Sequence, residues 1–167
     1  SGPLRGPRRA PVNSTFASMF TLTAASTIRR KAEQQDVPFL LHLRARALVP
    51  HELAAGIARS SAQQLDRVLA QFESAEVLEL ERCRVGVVKV IREPSQWKLL
   101  QLQLLPEHQR KGIGTQIVQS LLLEAKLARV PVVLTVLKSN PAKRLYERLG
   151  FRVVGEREHV YEMRFEV

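Results

Sequence analysis

From residue 27 onward the apolar positions follow two periods, and these predict the elements of the chain. Residues 27–31 read as a short strand. Asp36 suits a helix N-cap, with Pro38 tolerated in the first turn of a helix carrying Leu40, Leu41 and Leu43. Ser61-Ala62-Gln63-Gln64 has capping-box spacing, and Leu65, Val68, Leu69 and Phe72 follow at helical period. Three strands are expected next, over 77–81, 84–91 and 97–105. Only Arg82 and Cys83 separate the first two, which predicts an antiparallel hairpin. Glu93-Pro94-Ser95 supplies the following turn. In the third strand Leu100, Leu102 and Leu104 alternate with Gln101 and Gln103, the pattern of a half-buried strand.

A helix is expected to start near Gly112. Ile113, Ile117, Val118, Leu121, Leu122, Ala125 and Ala128 share one face, and Gln116, Gln119 and Glu124 lie opposite. Residues 131–137 form a continuous apolar run of strand length, as in a strand covered on both faces. Asn140 caps the next helix, Pro141 takes its first position, and Ala142, Leu145, Tyr146 and Leu149 form its stripe. Gly150 ends it as a left-handed cap, with Phe151 placed to pack back. Phe151 and Val153, then Tyr161, Met163, Phe165 and Val167, alternate as a last pair of strands. The expected order is β-α-α-β-β-β-α-β-α-β-β, without an internal repeat.

Composition narrows the classes. The 167 residues suit one domain, and 45% hydrophobic with 25% charged residues is ordinary for a globular chain. Residues 1–18 differ from the rest. Pro3, Pro7, Pro11, Gly2 and Gly6 interrupt any apolar period there, so residues 1–18 are set apart as a basic arm or a foreign extension, with the domain over 19–167. An acid-free, arginine-bearing start suits an organelle transit peptide, but the amphipathic period of one is missing. The formal charge is +10, and residues 1–32 hold Arg5, Arg8, Arg9, Arg29, Arg30 and Lys31 with no acid. Such a balance fits nucleic acid, an anionic membrane or a phosphate-rich small molecule. No arginine run is interleaved with aromatics, which are only 5%, and this weighs against nucleic acid. No apolar run has the length of a membrane span. The lone Cys83 can build neither a disulfide framework nor a thiolate metal site, so a reducing cytoplasm is expected. His42, His51, His108 and His159 lack ligand spacing, and no metal is expected.

The chemistry concentrates after Leu104-Leu105-Pro106-Glu107-His108. Gln109-Arg110-Lys111-Gly112-Ile113-Gly114-Thr115 runs through a tight turn into a helix. A helix start leaves N–H groups unpaired and favours negative charge, and glycines admit a phosphate close to the backbone. Arg110 and Lys111 add charge, though as solvated surface residues they would look the same in sequence. A P-loop is excluded because no Gly-Lys-Ser/Thr stands at the required distance. A dinucleotide fold is excluded by three preceding strands, a missing third glycine and no acid closing the next strand near Val136.

Gln109-Arg110-Lys111-Gly112-Ile113-Gly114 resembles the Q/R-x-x-G-x-G/A signature of the GNAT superfamily of N-acetyltransferases. Farther on, Asn140-Pro141-Ala142-Lys143-Arg144-Leu145-Tyr146-Glu147-Arg148-Leu149-Gly150-Phe151 is similar to the family's N-x-x-A-x-x-L-Y-x-x-x-G-F element, one residue shorter between Asn140 and Leu145. The resemblance covers residues 27–167. It implies a mixed α/β (α+β) fold, with a mostly antiparallel, splayed central sheet of about seven strands and about four helices. It also implies acetyl-CoA as cosubstrate and an amine as acceptor, either a small molecule or a peptide or protein. By position, the backbone of Leu102, Gln103 and Leu104 would pair with the pantetheine amides. The amides of Arg110, Lys111, Gly112, Ile113, Gly114 and Thr115, after Gln109, would hold the pyrophosphate. Asn140 would contact the cofactor arm, and Tyr146 would protonate the leaving thiolate. Dimerisation is common in the family; the residues carry no argument for it.

Each of these residues also has a plain structural reading. Tyr146 lies on an apolar stripe, as a core tyrosine would; Asn140 is an adequate cap, and Leu104 is strand core in either case. The proton acceptor departs from the family pattern. The positions where relatives place a glutamate are Lys98 and Thr135 here, leaving Glu79, Glu81, His42 or an ordered water. That departure keeps open a second class, a non-catalytic acyl-CoA-binding sensor.

Overall fold

The computed structural model describes residues 26–167; the arm over 1–18 lies outside them. β1 (Ile28–Lys31) leads to α1 (Val37–Ala47), α2 (Val49–Ala54) and α3 (Ser61–Leu69). β2 (Ala75–Leu80), β3 (Cys83–Arg92) and β4 (Trp97–Leu104) follow as a meander. Then come α4 (Ile113–Ala128), β5 (Val132–Leu137), α5 (Lys143–Arg148), β6 (Arg152–Glu156) and β7 (Val160–Phe165). The seven strands make one sheet in the order β1-β2-β3-β4-β5-β7-β6, antiparallel everywhere except β4 against β5. No helix among the described residues is long and apolar enough to cross a membrane.

The described residues hold five helices rather than four. Pro50 cannot extend α1, and it sits instead in the first turn of the additional short helix α2. Local capping also differs from expectation. Asp36 makes no cap bond to α1; its carboxylate receives the Arg30 guanidinium at 2.8 and 2.9 Å and the Glu33 amide at 2.8 Å. The capping box of α3 lies one residue earlier, with Ser60 and Gln63 exchanging bonds of 3.2 and 2.8 Å. Of its expected apolar face only Val68 is buried, and Ala128 at the end of α4 is exposed.

The β2–β3 turn is Glu81-Arg82, not Arg82-Cys83, since Leu80 pairs with Cys83. Both turn residues are left-handed (φ 49° and 66°), the backbone whose twist suits a two-residue hairpin. In β4 the register shifts at Leu100, where Leu99 pairs with Val90 but Gln101 with Lys89. That extra residue puts Leu99, Leu102 and Leu104 on one face and turns Leu100 out to solvent. β3 approaches β4 so closely that a Cβ on Gly86 would stand 2.3 Å from the Gln103 carbonyl oxygen.

Apolar layers cover both faces of the sheet. α4 and α5 close one with Ile117, Val118, Leu121 and Tyr146 over Val88, Val132 and Met163. α1 and α3 close the other with Leu40, Leu43 and Val68 over Val77 and Val87. Lys89, buried beneath α3, donates to the carbonyls of Arg67, Val68 and Ala70 at 3.2, 3.0 and 2.6 Å and so caps the C-terminal end of that helix.

Candidate active site at the parting of two strands

β4 and β5 pair only over Trp97↔Val132, Lys98↔Val133 and Leu99↔Leu134. Beyond Leu99 they separate, and the edge of β4 up to Leu104 has no neighbour in β5. A cavity of about 730 Å³ opens at this splay. Leu102, Gln103 and Leu104 wall it from β4, and Gln109, Arg110, Gly112, Gly114 and Thr115 from the turn and the start of α4. Asn140, Arg144, Tyr146 and Arg148 face it from the other side, while Ala47 and His51 close it from α1 and α2. The two sequence signatures therefore meet at one cavity. Lys111 does not line it, and the Ile113 side chain points into the core, so only its amide bears on the turn.

The turn has the backbone that an anion site requires. Arg110 and Gly112 are both left-handed (φ 59° and 83°), a conformation that glycine adopts freely and arginine does not. Gln116 donates its amide to Gly112 at 3.0 Å, but among the described backbone bonds none is donated by the amides of residues 110–115. The start of α4 thus presents a run of unpaired donors with its dipole behind them. The Gln109 side chain donates to the Leu104 carbonyl at 2.9 Å and holds the turn in place. Arg110, Arg144 and Arg148 also face the cavity, and none has an ion-pair partner among the described residues.

Asn140 acts one step earlier than expected. Its Oδ1 accepts from the Ala142 amide at 3.0 Å, closing a turn over Pro141, and α5 begins only at Lys143. Tyr146 is 6% exposed; its ring meets Phe151 edge-on at 5.6 Å between centroids, and Phe151 donates its amide to the Tyr146 carbonyl at 3.0 Å. Gly150, at φ 101°, makes the left-handed cap that turns Phe151 back. No protein group among the described residues bonds the Tyr146 hydroxyl, and burial pushes its pKa up to about 12. At neutral pH it is a protonated donor.

The expected proton acceptors do not reach this cavity. Glu79 is held by Arg30 at 2.5 Å on β2, Glu81 forms the hairpin turn, and His42 is exposed on α1. Lys98 pairs with Glu93 at 3.0 Å, and Thr135 is exposed on β5. His51 carries no signal in the sequence, because a six-residue α2 is too short to show an amphipathic period. Arg144 and Arg148 were also missed, although their i,i+4 spacing places both on one helix face. Among the described residues no group of three or more His, Cys, Asp or Glu could hold a metal.

A family model described as an acetyltransferase (GNAT) domain matches residues 72–153, which contain the splay, the turn and Tyr146. The chain belongs to the GNAT acetyltransferase family. This GNAT domain shares its fold with several solved structures. The PaiA N-acetyltransferase of Thermoplasma acidophilum, solved in complex with coenzyme A, is 17% identical. The match covers 85% of this chain and 99% of that one, with a TM-score of 0.67. An acetyltransferase of Thermus thermophilus is 22% identical over 85% and 97%, with a TM-score of 0.68. The ribosomal-protein-S18-alanine N-acetyltransferase of Escherichia coli is 21% identical over 84% and 93%, at 0.64. No curated protein matches this GNAT domain in sequence.

Proposed function

We propose that this chain, through its domain over 19–167, binds acetyl-CoA and transfers the acetyl group to a primary amine of a small molecule, peptide or protein. One observation carries the reading: Arg110, Gly112, Gly114 and Thr115 of the turn with the unpaired amides line the same cavity as Tyr146. Pyrophosphate suits the amides and the neighbouring Arg110. The edge of β4 offers peptide groups to the amides of the pantetheine arm, as an added strand would use them. The PaiA structure, described as a complex with coenzyme A, supports the ligand class.

In the reaction the amine lone pair attacks the thioester carbonyl carbon. A C–N bond forms, the C–S bond breaks, and the departing thiolate takes the Tyr146 proton. A strand amide near Leu104 donates to the carbonyl oxygen as charge develops there. Bringing amine and thioester together in the cavity supplies much of the acceleration. The lone exposed thiol of Cys83 fits a reducing cytoplasm as the setting.

Calorimetry with coenzyme A, followed by thiol release from acetyl-CoA across an amine panel, tests the reading. Binding with turnover supports it, and no binding of any coenzyme A thioester overturns it. One observation favours a second reading: no Asp or Glu lines the cavity among the described residues. A sensor that binds acyl-CoA without turnover would need no proton acceptor.

A further inference from the structure

We infer that His51 accepts the proton of the attacking amine. This rests on the acetyl-transfer reading above and supplies the group which that reading leaves unassigned. The ionisable side chains lining the cavity are His51, Arg110, Arg144, Arg148 and Tyr146. A guanidinium has no lone pair to offer, and a neutral phenol is a donor rather than a base. Imidazole remains as the one group of this set that accepts a proton at neutral pH.

The surroundings of His51 fix it where an acceptor would enter. Ser139 donates its hydroxyl to the His51 carbonyl at 2.7 Å, tying α2 to the turn that leads into Asn140. The next residue, Glu52, is 3% exposed and points the opposite way. It receives Arg44 at 2.6 Å, Arg59 at 3.2 Å and Gln64 at 3.4 Å, bonds that lock α2 against α1 and α3. The His51 ring itself has no protein hydrogen bond among the described residues, so both nitrogens are free to meet an amine or water. The charged groups facing it across the cavity are Arg110, Arg144 and Arg148; Arg44 and Glu52 turn into the helical packing. His51 stands outside residues 72–153, so the acceptor side is built by a segment that the family model does not match.

The proton balance closes. As the C–N bond forms, the amine proton passes to the imidazole. As the C–S bond breaks, the thiolate takes the Tyr146 proton, and the imidazolium returns its proton through water to the phenolate. The products are an acetylated amine and a free thiol.

The test compares the full chain with His51→Gln and His51→Ala. Coenzyme A affinity is read by calorimetry, and thiol release from acetyl-CoA is read with polyamines, aminosugars and peptides bearing free N termini. His51→Gln is expected to bind coenzyme A within about twofold of the parent and to lose about 100-fold in kcat/KM. The pH profile of kcat/KM should change with it. Added imidazole should restore part of the rate in His51→Ala, which a merely structural role would not allow. Retained turnover and an unchanged pH profile in His51→Gln would overturn the inference. Loss of coenzyme A binding in that variant would also overturn it, marking His51 as structural. A parent chain that acetylates an amine while His51→Gln keeps that turnover sinks this inference alone; a parent that acetylates no amine, or binds no coenzyme A, sinks the proposed function itself.

Discussion

The Gln109 side chain donates to the Leu104 carbonyl at 2.9 Å, so the first residue of the anion turn is bonded to the last residue of the strand where it begins. The bond crosses the corner of the cavity. It makes the position of the unpaired amides depend on β4 rather than on the turn alone.

Gln109→Ala should therefore loosen the turn without disturbing the core, since Gln109 is exposed. The expected cost in stability is about 1 kcal/mol, the usual net worth of such a bond. Coenzyme A affinity should fall about tenfold, which is about 1.4 kcal/mol of lost pre-organisation. Calorimetry alongside a urea melt checks both. Unchanged affinity would mean that the turn holds its shape unaided.

Tyr146→Phe removes only the hydroxyl and keeps the ring against Phe151. Turnover should drop about 100-fold, with coenzyme A affinity near that of the parent. The pH dependence follows from burial. The folded-state pKa is raised to about 12 from an ordinary value near 10, so the hydroxyl stays a proton donor through the physiological range. Its contribution to stability is complete below about pH 10 and is lost as pH rises toward about 12. Alkaline melts should therefore run parallel below that window, and within it the parent should lose stability relative to the variant, which has no hydroxyl to titrate.

Asp36 anchors α1 to β1 and β3. Its buried carboxylate meets Arg30 at 2.8 Å and Arg84 at 3.0 Å, and these partners, Arg30 first, bring its pKa down to about 2. A depressed carboxylate contributes stability that is present above its unfolded value near 4 and is lost as pH falls through about 2. Asp36→Asn should cost about 2 kcal/mol at pH 7, less than a fully buried pair because both arginines are partly exposed. Urea denaturation of the two proteins at pH 7 and again between pH 4 and pH 2 checks this. A constant difference across that range would show that the charge is not what holds α1.

Much of this arrangement was legible in the residues. The turn before α4 and the α5 segment each carry strong local chemistry, and the fold brings both to one cavity, although α5 begins at Lys143 rather than at Pro141. What stayed hidden was set by contacts distant in sequence. Leu100 alternates correctly on paper, but the register shift against Val90 and Lys89 gives that place to Leu99. Asp36 has the residue type of a cap, yet its carboxylate takes Arg30, Arg84 and the Glu33 amide instead of the first amides of α1. The Glu81-Arg82 turn carries no glycine or asparagine to mark it. His51 sits on a helix defined by Pro50 and by a buried Arg44–Glu52 pair that no local pattern reveals.

Gly86 gives the prediction that separates scaffold from chemistry. A methyl group there would stand 2.3 Å from the Gln103 carbonyl oxygen and 2.7 Å from a Leu104 methyl group. The carbonyl belongs to the backbone of the strand that walls the cavity, so it can yield only if β4 moves away from β3. Gly86→Ala should cost about 3 kcal/mol, the upper range for overpacking, because the obstacle is main chain rather than a flexible side chain. Gln103 and Leu104 both line the cavity, so the same displacement should weaken coenzyme A binding in step with stability. Tyr146→Phe, by contrast, should lower turnover while coenzyme A binding stays near that of the parent. Thermal melts and calorimetry on Gly86→Ala decide the matter: a stable variant with full coenzyme A affinity would show that the close approach of β3 to β4 is not needed to shape the site.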